Sequence, residues 1–140
     1  MGFRNSRTRY EGELVKILCE KLEGQWFGQR GTHSYGVDVI MFKSTDNPQA
    51  PRAVLFEVKS LTEWPFYLSG RNKAQYETYT SLYSEKGVEV IYAIRLVGGK
   101  GDKWRFVPLS GFSTTNRGNP CVKNNDGMDL LTFVHTIESI

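Results

Sequence analysis

Three acidic residues and a lysine stand where the hydrophobic patterning of this 140-residue chain reserves places for a core. Glu57, Val58 and Lys59 close the apolar run AVLFEVK. Side chains alternate along a strand, so Glu57 and Lys59 share one face while Val58 points to the other. Asp38 interrupts a second apolar run, VDVIMFK. Glu11 lies in a helical pattern in which, at about 100° per residue, Leu14, Val15, Leu18 and Leu22 fall on both sides of it. A carboxylate aimed at a core is costly unless it is paired or metal-bound. Each residue also has a plain structural alternative. These are a first-turn Glu steadied by the helix dipole, a turn-forming Asp and a salt bridge at a strand end. The dipole alternative suits Glu13, which turns about 160° away from Glu11 to the solvent side.

Taken together, the plain alternatives weaken. The start of one hairpin strand lies beside the end of the next, so Asp38 and Glu57 can meet with Lys59 next to them. A helix packed over that end of the sheet can bring Glu11 to the same point. Three carboxylates and one lysine suit one or two magnesium ions, which would bind a phosphate, acidify a water and stabilise a leaving oxygen. The rest of the composition agrees. The two cysteines, Cys19 and Cys121, and the two histidines, His33 and His135, are too few for a thiolate or imidazole metal site. Oxygen ligands point to magnesium, with manganese as a substitute.

The elements that must position these groups follow from periodicity and turn signals. Ser6 to Glu23 reads as a helix with Ser6 or Thr8 as N-cap. Trp26 to Arg30 is short and extended, and GTHSYG (Gly31 to Gly36) is a loop. Val37–Lys43 and Ala53–Lys59 are buried strands of a hairpin whose turn spans Ser44 to Arg52. Leu61–Gly70 is irregular. Asn72–Ser84 is a helix with Tyr76, Tyr79 and Tyr83 on one stripe. Val88–Val97 and Trp104–Leu109 are strands. Residues 113–127 read as a mobile polar loop, and Asp129–Glu138 as a closing helix with Met128, Leu131 and Val134 facing inward. The order is α-β-β-α-β-β plus a short C-terminal helix, an α/β fold with a central mixed sheet flanked by helices.

With 39% hydrophobic and 24% charged residues, the chain suits one globular domain rather than disorder or a coiled coil. No apolar run approaches the ~20 residues of a membrane helix. The start MGFRNSRTRYEGE has no apolar core of a secretory signal, so a cytoplasmic setting is expected. The net charge is +3, and Arg4, Arg7 and Arg9 all precede the first acidic residue. That basic arm is either a solvated tail or a contact to phosphates.

The acid on the first helix, the Asp opening a strand and the E-x-K on its partner together resemble the PD-(D/E)XK, or restriction-endonuclease-like, nucleases. More narrowly the chain resembles the archaeal Holliday junction resolvases. The helix YEGELVKILCEKLEG, the segment RGTHSYGVD, the strand LFEVKS and the later YLSGRNKAQYETY and VIYAIRLVGGKGDKWRFVPL all look like theirs. The likeness spans about Arg4 to Leu109. Val37 stands where those enzymes carry Pro, and Gly12 where they carry Arg, a glycine that would permit close approach of a backbone. The Ser44–Arg52 turn is longer than theirs.

The resemblance implies a restriction-endonuclease-like core over residues 1–110, with 111–140 an extension of the same domain. It implies metal at Asp38, Glu57 and the Val58 carbonyl, with Glu11 binding or organising it through water. Lys59 would position or activate the attacking water, and Ser34 and Arg30 occupy family positions beside the scissile phosphate. Gln75 and Tyr79 form Q-x-x-x-Y, which looks like the RecB-type nuclease motif and would let Gln75 orient the lysine or a phosphate. The alternative is a core Tyr79 and a surface Gln75. The implied partner is branched DNA held by a homodimer, with phosphate contacts from Arg4, Arg7, Arg9, Arg30, Arg71 and Lys73. Trp64, Phe66 and Tyr67 would stack at a branch point or make core or dimer contacts. The implied function is a magnesium-dependent endonuclease that nicks four-way junctions symmetrically, acting at the nucleoid without a small-molecule substrate. The alternatives are a nuclease of the same fold with another DNA substrate, a non-catalytic DNA-binding module, and an unrelated α/β protein with a chance E-x-K.

Overall fold

The computed structural model describes residues 6–22, 26–30, 38–43, 52–98 and 103–138. Expectations for Arg4 and Ser34, and for the turn over residues 44–51, lie outside them. The elements are α1 (Ser6–Lys21), β1 (Trp26–Arg30), β2 (Val39–Lys43), β3 (Arg52–Leu61), β4 (Phe66–Tyr67), α2 (Gly70–Lys86), β5 (Val90–Leu96), β6 (Trp104–Pro108), β7 (Ser113–Thr114), β8 (Pro120–Val122) and α3 (Leu130–Glu138). Each of the long elements falls within a few residues of its sequence expectation.

Five strands form one mixed sheet in the order β1-β2-β3-β5-β6. β2 and β3 are the expected antiparallel hairpin, with Val39 opposite Phe56. β3 and β5 run parallel, joined through α2, with Glu57 beside Tyr92. β3 is therefore flanked by strands on both edges and covered on both faces, as its near-continuous apolar run requires. Alternation sorts its side chains. Val54, Phe56 and Val58 join the core under α1 and α3, with Leu14, Leu18, Phe133 and Ile137. Leu55 and Leu61 pack on the other side with Phe66, Tyr79, Tyr92 and Val122, the face that α2 covers. Glu57 and Lys59, at odd positions of the same strand, belong to the α2 face.

Glu13 departs from expectation. Its carboxylate accepts from Arg95 Nε at 2.8 Å and from Trp104 Nε1 at 3.2 Å. It ties α1 to β5 and β6 rather than simply facing solvent. Among the described residues Gly12 brings no backbone close, since a Cβ there would meet nothing within 4 Å.

Two further corrections concern the last third of the chain. The 113–127 segment is not a plain loop: β7 and β8 pair there, and β8 pairs with β4 to make a second, three-stranded sheet. The turn between β7 and β8 is closed by Thr115 N–H to the Asn119 carbonyl at 2.8 Å and by Asn119 N–H to Thr115 Oγ1 at 3.1 Å. Strands of two and three residues are too short to leave a periodic signal. In α3, Phe133, Val134 and Ile137 are buried, while Leu131 is 69% exposed. Phe133 stacks on Phe106 at 4.3 Å between ring centroids. That contact sets the roll of the helix and turns Leu131, about 160° from Phe133, outward. Asp129 caps α3 by accepting the Thr132 N–H at 2.8 Å, and the bonds from Thr132 hold its carboxyl below the ordinary value.

Candidate active site

The hairpin register brings Asp38 and Glu57 opposite one another. Asp38 sits one residue before β2, and its N–H still donates to the Phe56 carbonyl at 3.1 Å. Its side chain turns back along β3, where Oδ2 accepts the Val58 N–H at 2.8 Å. Asp38 is 2% and Glu57 0% exposed. The Asp38 carboxylate beside it disfavours the ionisation of Glu57. Burial, and then the Asp38 charge, push the Glu57 carboxyl up to about 7, against the opposing pull of Lys59 and Tyr79.

Glu57 is held at both oxygens. Tyr79, reaching down from α2, donates its hydroxyl to Oε1 at 2.7 Å. Lys59 Nζ lies 3.3 Å from Oε2. The ammonium also donates to Asn72 Oδ1 at 3.1 Å, in the first turn of α2. Burial, then the Glu57 charge, drive the Tyr79 hydroxyl well above its ordinary range, so it remains a donor. Tyr92, beside Glu57 in the sheet, is raised for the same reasons, and its buried hydroxyl has no hydrogen-bond partner among the described residues.

The other expected residues are distributed as follows. Glu11 is buried at 2% exposure in the apolar stripe of α1, as its helical angle predicts. But α1 covers the face carrying Phe56 and Val58, whereas strand alternation turns Glu57 to the α2 face. Among the described residues no three His, Cys, Asp or Glu side chains stand within metal-holding reach of one another. The expected convergence of three carboxylates is thus a pair. Gln75 is half-buried on α2, one turn before Tyr79. Arg71 is exposed and Lys73 half-buried in the first turn of α2, either side of Asn72. Arg9 is exposed on α1, its guanidinium 5.9 Å from the Tyr10 ring centroid. Arg7 falls in the first turn of α1 and Arg30 ends β1. Of the aromatic trio, Phe66 is buried, Trp64 half-buried and Tyr67 54% exposed.

Asn72 was missed by sequence reasoning. Its signal was available, because Asn72, Gln75 and Tyr79 recur at i, i+3 and i+7 and so share one helix face. That face looks onto the E-x-K end of β3.

The pair fits a hard divalent cation. Two buried carboxylates answered by a single lysine leave one negative charge in excess, relieved either by a proton on Glu57 or by a cation between oxygen ligands.

A mixed five-stranded sheet, covered on one face by α1 and α3 and on the other by α2, with an Asp opening one hairpin strand and E-x-K on its partner, defines the restriction-endonuclease-like α/β fold. Among solved structures the chain matches the Holliday junction resolvase Hjc of the archaeal hyperthermophile Archaeoglobus fulgidus. The TM-score is 0.68 at 20% identity, over 94% of this chain and 97% of the resolvase. Residues beyond Leu109 fall largely within that match, although the sequence likeness stopped there. No protein-family model and no curated protein sequence matches the chain. Among the described residues no helix is long and apolar enough to cross a membrane.

Proposed function

We propose that this protein is a divalent-metal-dependent, structure-specific DNA endonuclease that resolves four-way junctions, acting as a homodimer that nicks two strands symmetrically. The observation that carries the reading is the buried Asp38–Glu57 pair with Lys59 pinned beside it. The fold shared with a Holliday junction resolvase supports the four-way junction as substrate.

Asp38, Glu57 and the Val58 carbonyl hold magnesium, with manganese as a substitute. The N–H and C=O of one strand residue point to the same edge, so the Val58 N–H bond to Asp38 favours its carbonyl as a ligand. The bound cation would acidify the attacking water and offset charge on the leaving oxygen. Lys59 positions that water, steadied by Asn72 and by Gln75 behind it. Glu11 organises the site through water from the α1 side, and Ser34 assists at the phosphate. Arg4, Arg7, Arg9, Arg30, Arg71 and Lys73 hold backbone phosphates, which position branched DNA without reading its sequence. The reaction is in-line hydrolysis leaving 5′-phosphate and 3′-hydroxyl ends. A two-fold dimer matches the symmetry of the junction, and such an enzyme works at the nucleoid.

The test is cleavage of labelled four-way junction, duplex, flap and single strand with magnesium or with EDTA. The expected result is paired symmetric nicks near the crossover, only on the junction and only with metal. Equal cutting of plain duplex assigns the fold to another substrate, and no cutting of any form makes it a binding module. Glu57→Ala abolishes cleavage and leaves junction binding intact; a variant that cuts at the wild-type rate overturns the site.

A further inference from the structure

A cavity of about 630 Å³ lies between the segment leaving β3 and the small sheet, lined among others by Trp64, Tyr67, Asn116, Lys123 and Asn124. A second hollow of about 600 Å³ adjoins it, sharing Tyr67 and Asn116 and adding Ser69 and Arg117. Tyr67 stands between the two. Its position is rigid: Phe66 and Leu68 on either side are 8% and 1% exposed, and β4 pairs with β8 through Tyr67 and Cys121. Alternation then projects the Tyr67 ring outward, with 54% of the residue exposed. Among the described residues the basic lining residues are Lys123 and Arg117, no carboxylate lines either hollow, and amides and hydroxyls make up much of the rest.

The cleft also connects to the Asp38–Glu57 site. Lys59 Nζ bonds Asn72 Oδ1 at 3.1 Å, Asn72 N–H bonds the Ser69 carbonyl at 3.1 Å, and Ser69 lines the second hollow. Trp64 follows Lys59 by five positions, so their Cα atoms lie no more than about 18 Å apart. At roughly 3.4 Å of duplex axis per nucleotide of one strand, that is within about five nucleotides.

We propose that this cleft takes an unpaired stretch of the DNA strand beside the scissile phosphate, with one base stacked on Tyr67 and phosphates against Lys123 and Arg117. The proposal rests on the nuclease reading above. A rigid, exposed ring flanked by cations and amides is a stacking platform for bases. Within a continuous duplex the base faces are already covered by their neighbours, so a ring fixed at the surface meets only a base drawn out of the stack. The occupant is therefore the strand at a branch or break and not plain duplex.

The test places 2-aminopurine in the few nucleotides flanking the branch of a four-way junction and measures its fluorescence and the Kd in EDTA. The expected result is quenching by the wild type. Tyr67→Ala loses the quench and weakens binding about ten-fold, Trp64→Ala weakens it too, and Tyr67→Phe keeps both. Tyr67 is outside the core, and an unchanged Tm confirms that its variants fold. If Tyr67→Ala and Trp64→Ala bind and quench as the wild type while cleavage continues, the cleft assignment falls and the nuclease reading stands. If the wild type binds no DNA, both fall. If Tyr67→Ala turns a dimer into a monomer, a second copy of the chain fills the cleft and the proposal is overturned.

Discussion

The Tyr79 hydroxyl donates to Glu57 Oε1 at 2.7 Å across the seam between α2 and β3. The bond opposes the burial and the Asp38 charge that push the Glu57 carboxyl up. A helix residue thus helps to set the ionisation of the central acid of the site. The resemblance-derived Q-x-x-x-Y motif left Tyr79 open between a core role and a site role, and it fills both.

Tyr79→Phe removes that donor and little else. The Glu57 carboxyl is expected to rise further, so the acidic limb of the pH–rate profile for junction cleavage moves to higher pH. Stability falls by about 1–2 kcal/mol in a denaturant titration. A profile that stays in place would show that Glu57 is not the group titrating on that limb.

Asp38→Asn separates stability from activity. It removes the charge that repels Glu57 while keeping an oxygen for the Val58 N–H. In EDTA at neutral pH the variant is expected to be about 1 kcal/mol more stable than the wild type, and in magnesium it is expected to cut nothing. Destabilisation in EDTA would mean that the Asp38 charge is already compensated.

The pH dependence of the metal-free protein has a definite sign. Glu57 titrates near 7 in the fold against 4.5 for the free side chain. Between those values the native state keeps a proton that the unfolded chain has lost. The contribution is complete below about pH 4.5 and is lost as pH rises to about 7, a loss of about 3 kcal/mol from this group. Melting in EDTA across that window reads it, with Glu57→Gln as the variant lacking this slope. Added magnesium or manganese reverses the trend, stabilising more at pH 8 than at pH 5, because the ligand must be deprotonated. Equal stabilisation at both would place the cation elsewhere.

Gly12 offers a stabilising change. It sits inside α1, and a Cβ there would meet nothing within 4 Å among the described residues. Gly12→Ala is expected to add about 1 kcal/mol in thermal or urea unfolding without altering cleavage. A loss of activity at constant stability would reveal that DNA passes over this turn of the helix.

The strand chemistry was legible because it broke a simple rule. Glu57 and Lys59 lie on one side of a period-two run, and Asp38 interrupts another, so their meeting followed from hairpin geometry alone. Glu11 was half legible. A helical angle tells that a residue faces the core, but a sheet has two faces, and the angle does not say which. Asn72 was hidden because a polar residue in the first turn of a helix looks like ordinary solvent surface until its i+7 partner is seen to reach Glu57. The small sheet left no periodic trace, since its strands are only two or three residues long and β4 pairs with a strand far along the chain. Leu131 was misplaced because one ring stack, Phe133 on Phe106, sets the roll of a nine-residue helix.

The parallel pairing of β3 with β5 has a consequence for synthesis. Glu57 is delivered early, but the tyrosines that enclose it come from α2 and β5, and Phe133, which stacks on Phe106 and packs edge-on to Phe56, comes later still. On the ribosome the carboxylate pair therefore stays open to water until the strand beyond the crossover has emerged, and the opposite face closes only once α3 is made. A nascent chain halted before β5 would carry both acids and Lys59 with no fold to aim them, so the proposed site would be assembled only in a nearly finished chain.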